Sequence, residues 1–169
     1  MPIVFACATS HAPGMTAWPE AAPNDQAEKI LGSYRKLGEM LAASKPDTLV
    51  AITVEHWANF FLNHMPPFCI GRAGHYEGPI EEWLRIPKAR VPGDAKLSAE
   101  LLRACLDNGF DPTFSDELLF DHATMRPFSI RATEFRAILS FAANSPWVSL
   151  IAARICFSCF LVTIHNVSC

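Results

Sequence analysis

The sequence predicts an α/β domain with a mostly parallel central sheet and flanking helices. Three observations carry that expectation: two short continuous apolar runs at 2–9 and 48–54, an amphipathic stretch between them at 25–44, and a second capped amphipathic stretch further on. At 169 residues the chain has the length of one domain with a core of its own.

Residues 2–9 run from Pro2 to Thr9 and stop at Ser10-His11-Ala12-Pro13-Gly14. Such a run reads as a strand buried on both faces, followed by a tight loop. Between 25 and 44, Ile30, Leu31, Tyr34, Leu37, Met40 and Leu41 recur at helical steps, while Glu28, Lys29, Arg35, Lys36 and Glu39 fill the opposite side. That is the stripe of a surface helix, with Asn24 or Asp25 as N-cap and Pro46 beyond its end. Residues 48–54 repeat the buried-strand pattern and close at Glu55-His56-Trp57. Strand, helix and strand form a βαβ unit whose two strands should run the same way.

From 60 to 92, prolines at 66, 67, 79, 87 and 92 and glycines at 71, 74 and 78 interrupt every candidate element, so loops with one or two short strands are expected. A second helix is predicted through Leu97, Leu101, Leu102, Cys105 and Leu106, with Asp94 as cap and Asn108-Gly109 as left-handed stop. A third is predicted over 131–143 from Phe135, Ile138 and Leu139.

Composition narrows the function classes. Fourteen basic against 17 acidic residues, a net charge of -3, leave no basic excess for a nucleic-acid backbone. Six scattered cysteines do not read as the disulfide framework of a small secreted domain, and Cys156-Phe157-Ser158-Cys159 lacks the second pair a zinc site needs. The start carries no basic segment before its apolar run, so neither signal peptide nor anchor is expected, and the setting predicted is cytoplasmic. After Arg136 only Arg154 is charged, a break that divides the chain into residues 1–136 and an atypical apolar tail, 137–169, which reads either as a buried strand or helix or as a segment foreign to the fold. Trp147 to Ile164 approaches the length of a membrane span, but Arg154 and the missing basic flanks argue against one.

The chemistry lies in the histidines. Parallel strands end on one edge of a sheet, where open α/β folds bind ligands, and His11 and His56 each lie just past such an end. Strands are about 4.8 Å apart, so two imidazoles so placed can share one ion, even with a strand between them. Histidines after strands are also ordinary loop residues, and spacing alone leaves both readings open. Asp121-His122 follows Leu118-Leu119-Phe120, in a segment able to reach the same edge, although adjacent side chains often point apart. His64, His75 and His165 have no companion at a strand end and read as structural or surface residues.

Ser10-His11-Ala12-Pro13-Gly14, then Val54-Glu55-His56-Trp57-Ala58-Asn59-Phe60-Phe61, then Leu119-Phe120-Asp121-His122 with Pro127 behind, resemble in order and spacing the class III extradiol ring-cleavage dioxygenases. The likeness is to the catalytic chains of the type that opens protocatechuate, gallate and O-methylgallate, and it runs from residue 2 to about 128. The resemblance implies a non-haem Fe(II) held by two histidines and a carboxylate, with open positions for a catechol-type aromatic acid and dioxygen. It implies His11 and His56 as metal ligands and His122 as the catalytic histidine over the substrate. It also implies a glutamate ligand and a further histidine downstream; neither has a match, since Glu134 is the sole acid beyond His122 and His165 the sole later histidine. The expectation is therefore a C-terminally truncated domain with an incomplete site, no membrane or nucleic-acid partner, and a homo-oligomer or small accessory subunit as assembly partner. The alternative is a non-catalytic relative that uses the same α/β body to bind a partner or small aromatic ligand.

Overall fold

The computed structural model describes residues 3–128, 136–141 and 158–164. Its elements are β1 (Ile3–Ser10), a short helix α1 (Gly14–Ala17), a 3-10 turn (Pro19–Ala21), α2 (Asn24–Ser44), β2 (Thr48–Thr53), β3 (Cys69–Gly71), β4 (His75–Gly78), β5 (Ala89–Pro92), α3 (Ala95–Asp107), β6 (Thr113–Ser115), α4 (His122–Phe128), β7 (Arg136–Phe141) and β8 (Ser158–Ile164). Six strands form one sheet in the order β1-β8-β2-β7-β3-β6, and β4 pairs with β5 in a separate hairpin.

The α/β class holds. β1 and β2 run the same way as the βαβ unit requires, but β8 lies antiparallel between them, and β2 then pairs in parallel with β7. β3 pairs antiparallel with β7 and parallel with β6, so the sheet as a whole is mixed. The antiparallel entries are β8, between β1 and β2, and β3, beside β7; all of these neighbours are distant in sequence.

Several local expectations need correction. β1 is buried on one face only: Phe5 and Cys7 pack on the core and Thr9 is buried, while Val4, Ala6 and Ala8 face outward. A continuous apolar run does not by itself say how many faces are covered. The α2 stripe is narrower than its spacing suggested, with Tyr34, Gly38 and Leu41 buried and Ile30 and Met40 exposed. Its cap is Pro23, whose carbonyl accepts from the Ala27 N–H at 2.9 Å with no side-chain bond, so Asn24 and Asp25 sit in the first turn. There the Asp25 charge favours the helix dipole. The helix predicted at 131–143 is strand β7 over Arg136–Phe141; 131–135 and 142–143 lie outside the described residues. Ile138 and Leu139 fit either periodicity in so short a run, and pairing with β2 and β3 decides for the strand.

α3 forms as expected. Asp94 accepts from the Leu97 N–H at 3.0 Å, and Gly109 takes φ +78 beyond the last turn. Asp94→Ala should cost about 1 kcal/mol in urea unfolding, since one orphan helix donor loses its partner. The stretch 60–92 yields three short strands, one more than the upper expectation. The core joins Leu41 of α2, Leu49 and Ala51 of β2, and Tyr76, Val91, Phe120 and Met125. Among the described residues no helix is long and apolar enough to cross a membrane.

Candidate functional site

The site grows from the ends of β1 and β2 and the start of α4. At the end of β1, the Tyr34 hydroxyl on α2 donates to the Ser10 carbonyl, and the buried Arg126 guanidinium of α4 lies 4.3 Å over the Tyr34 ring. Two helices thus clamp the backbone just before His11, which is 2% exposed.

After β2, the Glu55 carboxylate accepts from the N–H groups of Trp57 (3.0 Å), Asn59 and Phe60 (3.3 Å) and holds Trp57 in the left-handed region at φ 61. The Asn59 amide donates to the Leu119 carbonyl at 2.9 Å and accepts from its N–H at 2.8 Å, tying this loop to the segment that leads into α4. His56 is thereby placed beside Asp121.

Asp121 does two jobs. One oxygen accepts from the N–H groups of Ala123 (3.0 Å) and Thr124 (3.3 Å) and caps α4. The other accepts from the backbone N–H of His56 at 2.9 Å and faces its Nδ1 at 3.0 Å. A carboxylate behind one ring nitrogen fixes the tautomer and turns the other nitrogen outward. His122 is held the same way by a different acid: Glu81 Oε1 accepts from its backbone N–H at 3.1 Å and lies 2.6 Å from its Nδ1.

The three imidazoles converge. Ring centroids lie 5.2 Å apart for His11 and His56, 6.0 Å for His11 and His122, and 4.4 Å for His56 and His122. Ligating atoms of His56, Asp121 and His122 all lie within 4.8 Å of one another. Trp83 stands 6.4 Å from the His122 ring and stacks on Trp18 at 5.5 Å, and an Arg85–Glu20 ion pair joins the same two segments. A largely apolar cavity of about 350 Å³ is lined by Ala12, Met15, Trp18, Ile30 and Leu31 among others.

Electrostatics separates the histidines. Burial, with the neighbouring His56 and His122 charges, lowers the His11 pKa to about 4, against a smaller pull from Asp121. The hydrogen bond to Asp121 raises His56 above its ordinary value despite burial, helped by the charges of Asp121, Glu55 and Glu81. Burial alone would raise the Asp121 carboxyl, but the bond to His56 and the His56 and His122 charges hold it below the usual range. The donor set suits a divalent metal: His11 is neutral at pH 7, and His56 has Nδ1 committed to a carboxylate, which leaves Nε2 for an ion.

His11 also sets a pH dependence. An unfolded imidazole titrates near pH 6.5, so between there and about 4 the unfolded chain holds the extra proton. Stability of the metal-free chain should fall by about 2–3 kcal/mol as pH drops across that window. His11→Gln should flatten the slope in urea titrations run from pH 7 to pH 4; an equally steep slope would count against the assignment.

A family model described as the catalytic LigB subunit of aromatic ring-opening dioxygenase matches residues 5–146. The chain belongs to this family. A 2,3-dihydroxyphenylpropionate/2,3-dihydroxicinnamic acid 1,2-dioxygenase of Mycolicibacterium vanbaalenii is 33% identical over 128 residues, covering 72% of this chain and 36% of the relative. Proteins of the same name from Mycolicibacterium smegmatis (30% over 135 residues, 75% and 38%) and Klebsiella pneumoniae (29% over 113 residues, 64% and 32%) are also similar. The chain spans about a third of the length of these curated relatives.

Of the residues expected from sequence, this LigB-family chain brings His11, His56 and His122 together, while His64 and His75 are exposed elsewhere. His165, Glu134 and Cys156 lie outside the described residues. Sequence reasoning missed Glu81, whose partner is 41 positions away, and left the partner of Asp121 open, which the structure gives as His56.

Proposed function

We propose that the chain carries the metal-binding part of an extradiol aromatic ring-cleavage dioxygenase, with His11 and His56 as ligands of Fe(II) and His122 as the catalytic histidine. The observation that carries this reading is the meeting of three imidazoles from three separate segments, two of them backed by carboxylates. Bound Fe(II) would supply the electron transfer that couples a catechol to dioxygen and opens the ring beside the diol. The chain's own residues supply the rest. Neutral His11 offers a lone pair without first losing a proton, and Asp121 directs His56 Nε2 outward. His122 presents Nε2 to accept a proton from a diol hydroxyl or to return one. Trp83, stacked on Trp18, stands beside it and offers an aromatic contact for a substrate ring.

The substrate class proposed is a catechol-type aromatic acid. The relatives' names point to dihydroxyphenylpropionate, the sequence motifs to protocatechuate or gallate. Residues 1–136 are proposed as the N-terminal part of the catalytic domain, whose central sheet the apolar segment 137–169 completes with β7 and β8. Exposed Trp57, Phe61 and Leu62 beside the site support assembly with a second copy or a small accessory subunit. Free thiols at Cys7, Cys69 and Cys105 support a cytoplasmic setting.

Anaerobic Fe(II) loading followed by metal analysis tests the reading. About one iron per chain is expected, lost in His11→Ala and His56→Ala. Unchanged stoichiometry in either variant would refute the ligand assignment. His56→Ala should also destabilise, because it strips the ring from a buried carboxylate that then keeps only backbone donors. Iron-dependent oxygen uptake with 2,3-dihydroxyphenylpropionate, protocatechuate and gallate then ranks the substrates, and no uptake with any would exclude ring cleavage by this chain.

A further inference from the structure

We propose that Glu81 is the positioning residue for His122, holding its imidazole with the hydrogen on Nδ1 so that Nε2 is the ring's working atom. The use made of that atom rests on the function proposed above; the tautomer does not. Asp121, although adjacent to His122, cannot orient it, because both its oxygens are committed to His56 and to the first turn of α4. Glu81 stands in its place. A single oxygen, Oε1, takes both the backbone N–H and ring Nδ1 of His122, and its fellow, Oε2, is buried with no hydrogen-bond partner among the described residues. Among the described residues, all the hydrogen bonding of the Glu81 side chain is thus directed at one histidine.

The pairing repeats what Asp121 does for His56, where again one oxygen takes both the backbone N–H and Nδ1 of the same residue. Two contacts on one residue fix the ring's position as well as its tautomer. An ionised carboxylate only accepts, so Nδ1 must carry the hydrogen and a neutral ring has its lone pair on Nε2. Both side chains are shielded, at 11% exposure for His122 and 14% for Glu81, so water competes weakly for the contact. The segment is anchored where it starts, since the Ile80 N–H donates to the Phe120 carbonyl at 2.9 Å, and Trp83, two residues beyond Glu81, flanks the His122 ring. Glu81 therefore belongs to a short cradle, 80–83, built around His122.

Nitrogen-15 NMR of the histidine rings in the full metal-free chain, at a pH where the ring is neutral, reads the tautomer directly. A His122→Gln variant identifies the signals. In the wild-type protein His122 Nε2 should show the large downfield shift of an unprotonated imidazole nitrogen. Glu81→Gln, whose carbonyl oxygen still accepts, should preserve that signature, and Glu81→Ala should lose it in favour of a mixture with hydrogen on Nε2. A Glu81→Ala spectrum identical to wild type would overturn the proposal. So would a wild-type His122 protonated at Nε2, which decides the matter even if the alanine variant does not fold. Because no iron is present, failure here is distinct from failure of the metal assignment, which the loading experiment reads separately.

Discussion

Asp121→Ala is expected to destabilise the chain by about 3–5 kcal/mol and to weaken Fe(II) binding by about 10- to 100-fold. The first effect comes from position: the carboxylate is 1% exposed and serves four donors, two at the start of α4 and two on His56. Removing it leaves buried N–H groups without an acceptor and the His56 ring without its orienting partner. The second effect follows because His56 then turns freely and no longer presents Nε2 at a fixed point. Asp121→Asn separates the two. An asparagine oxygen can still cap α4, which should recover part of the stability, but its amide faces the His56 donors with hydrogens of its own, so iron affinity should stay low.

Acid should remove the same stabilisation in the unmodified protein. The folded-state value of Asp121 is depressed, so its contribution is fully present above the unfolded value of about 3.9 and is lost as pH falls through the lower folded value. The stability gap between wild type and Asp121→Ala, measured by urea unfolding without metal, should therefore be wide at neutral pH and narrow on acidification. A gap below about 1 kcal/mol at pH 7 would show that the cap and the histidine contact are not coupled through this carboxylate.

Much of this site can be read from the chain because strands and helices announce where they stop. His11 and His56 are legible as residues that follow two apolar runs of one βαβ unit, and an intervening strand, β8, still leaves their rings 5.2 Å apart. α3 is legible in full because its cap, stripe and glycine stop agree. What is hidden is long-range and polar. Glu81 sits in a proline- and glycine-broken stretch where strands of three or four residues leave no periodicity to read. Its role depends on the backbone of β4 meeting 119–120, a contact that no local pattern encodes. The partner of Asp121 is hidden for a related reason. At a helix start the capping side chain turns back over the first turn, whereas the next residue's side chain leaves in another direction, so neighbours in sequence serve different partners. β7 misleads because six residues are too few to separate a period of 3.6 from one of 2.

Phe120→Ala should cost about 3–5 kcal/mol and carry the site down with it. The ring is fully buried and stacks on Tyr76 at 4.8 Å, while its backbone N–H donates to the Glu77 carbonyl and its own carbonyl accepts from Ile80, both at 2.9 Å. β4 approaches so closely here that a Cβ on Gly78 would lie 2.5 Å from Phe120 Cβ and 2.6 Å from its carbonyl oxygen. Phe120 is thus the last fixed point before Asp121 and His122, and its carbonyl also anchors the segment that bears Glu81. Truncating the ring opens a cavity where both carboxylate–histidine pairs are referenced, so iron affinity should fall together with stability even though no ligand is touched. Phe120→Leu, which keeps most of the volume, should recover the larger part of both. Phe114, 48% exposed beneath Arg72, offers the contrast: its alanine variant should lose no more than about 1 kcal/mol and bind iron as the wild type does. Parallel urea unfolding and iron titration of the three variants decide the point. If Phe120→Ala loses stability but keeps wild-type iron affinity, the site is positioned by its own hydrogen bonds and not by the core beneath it.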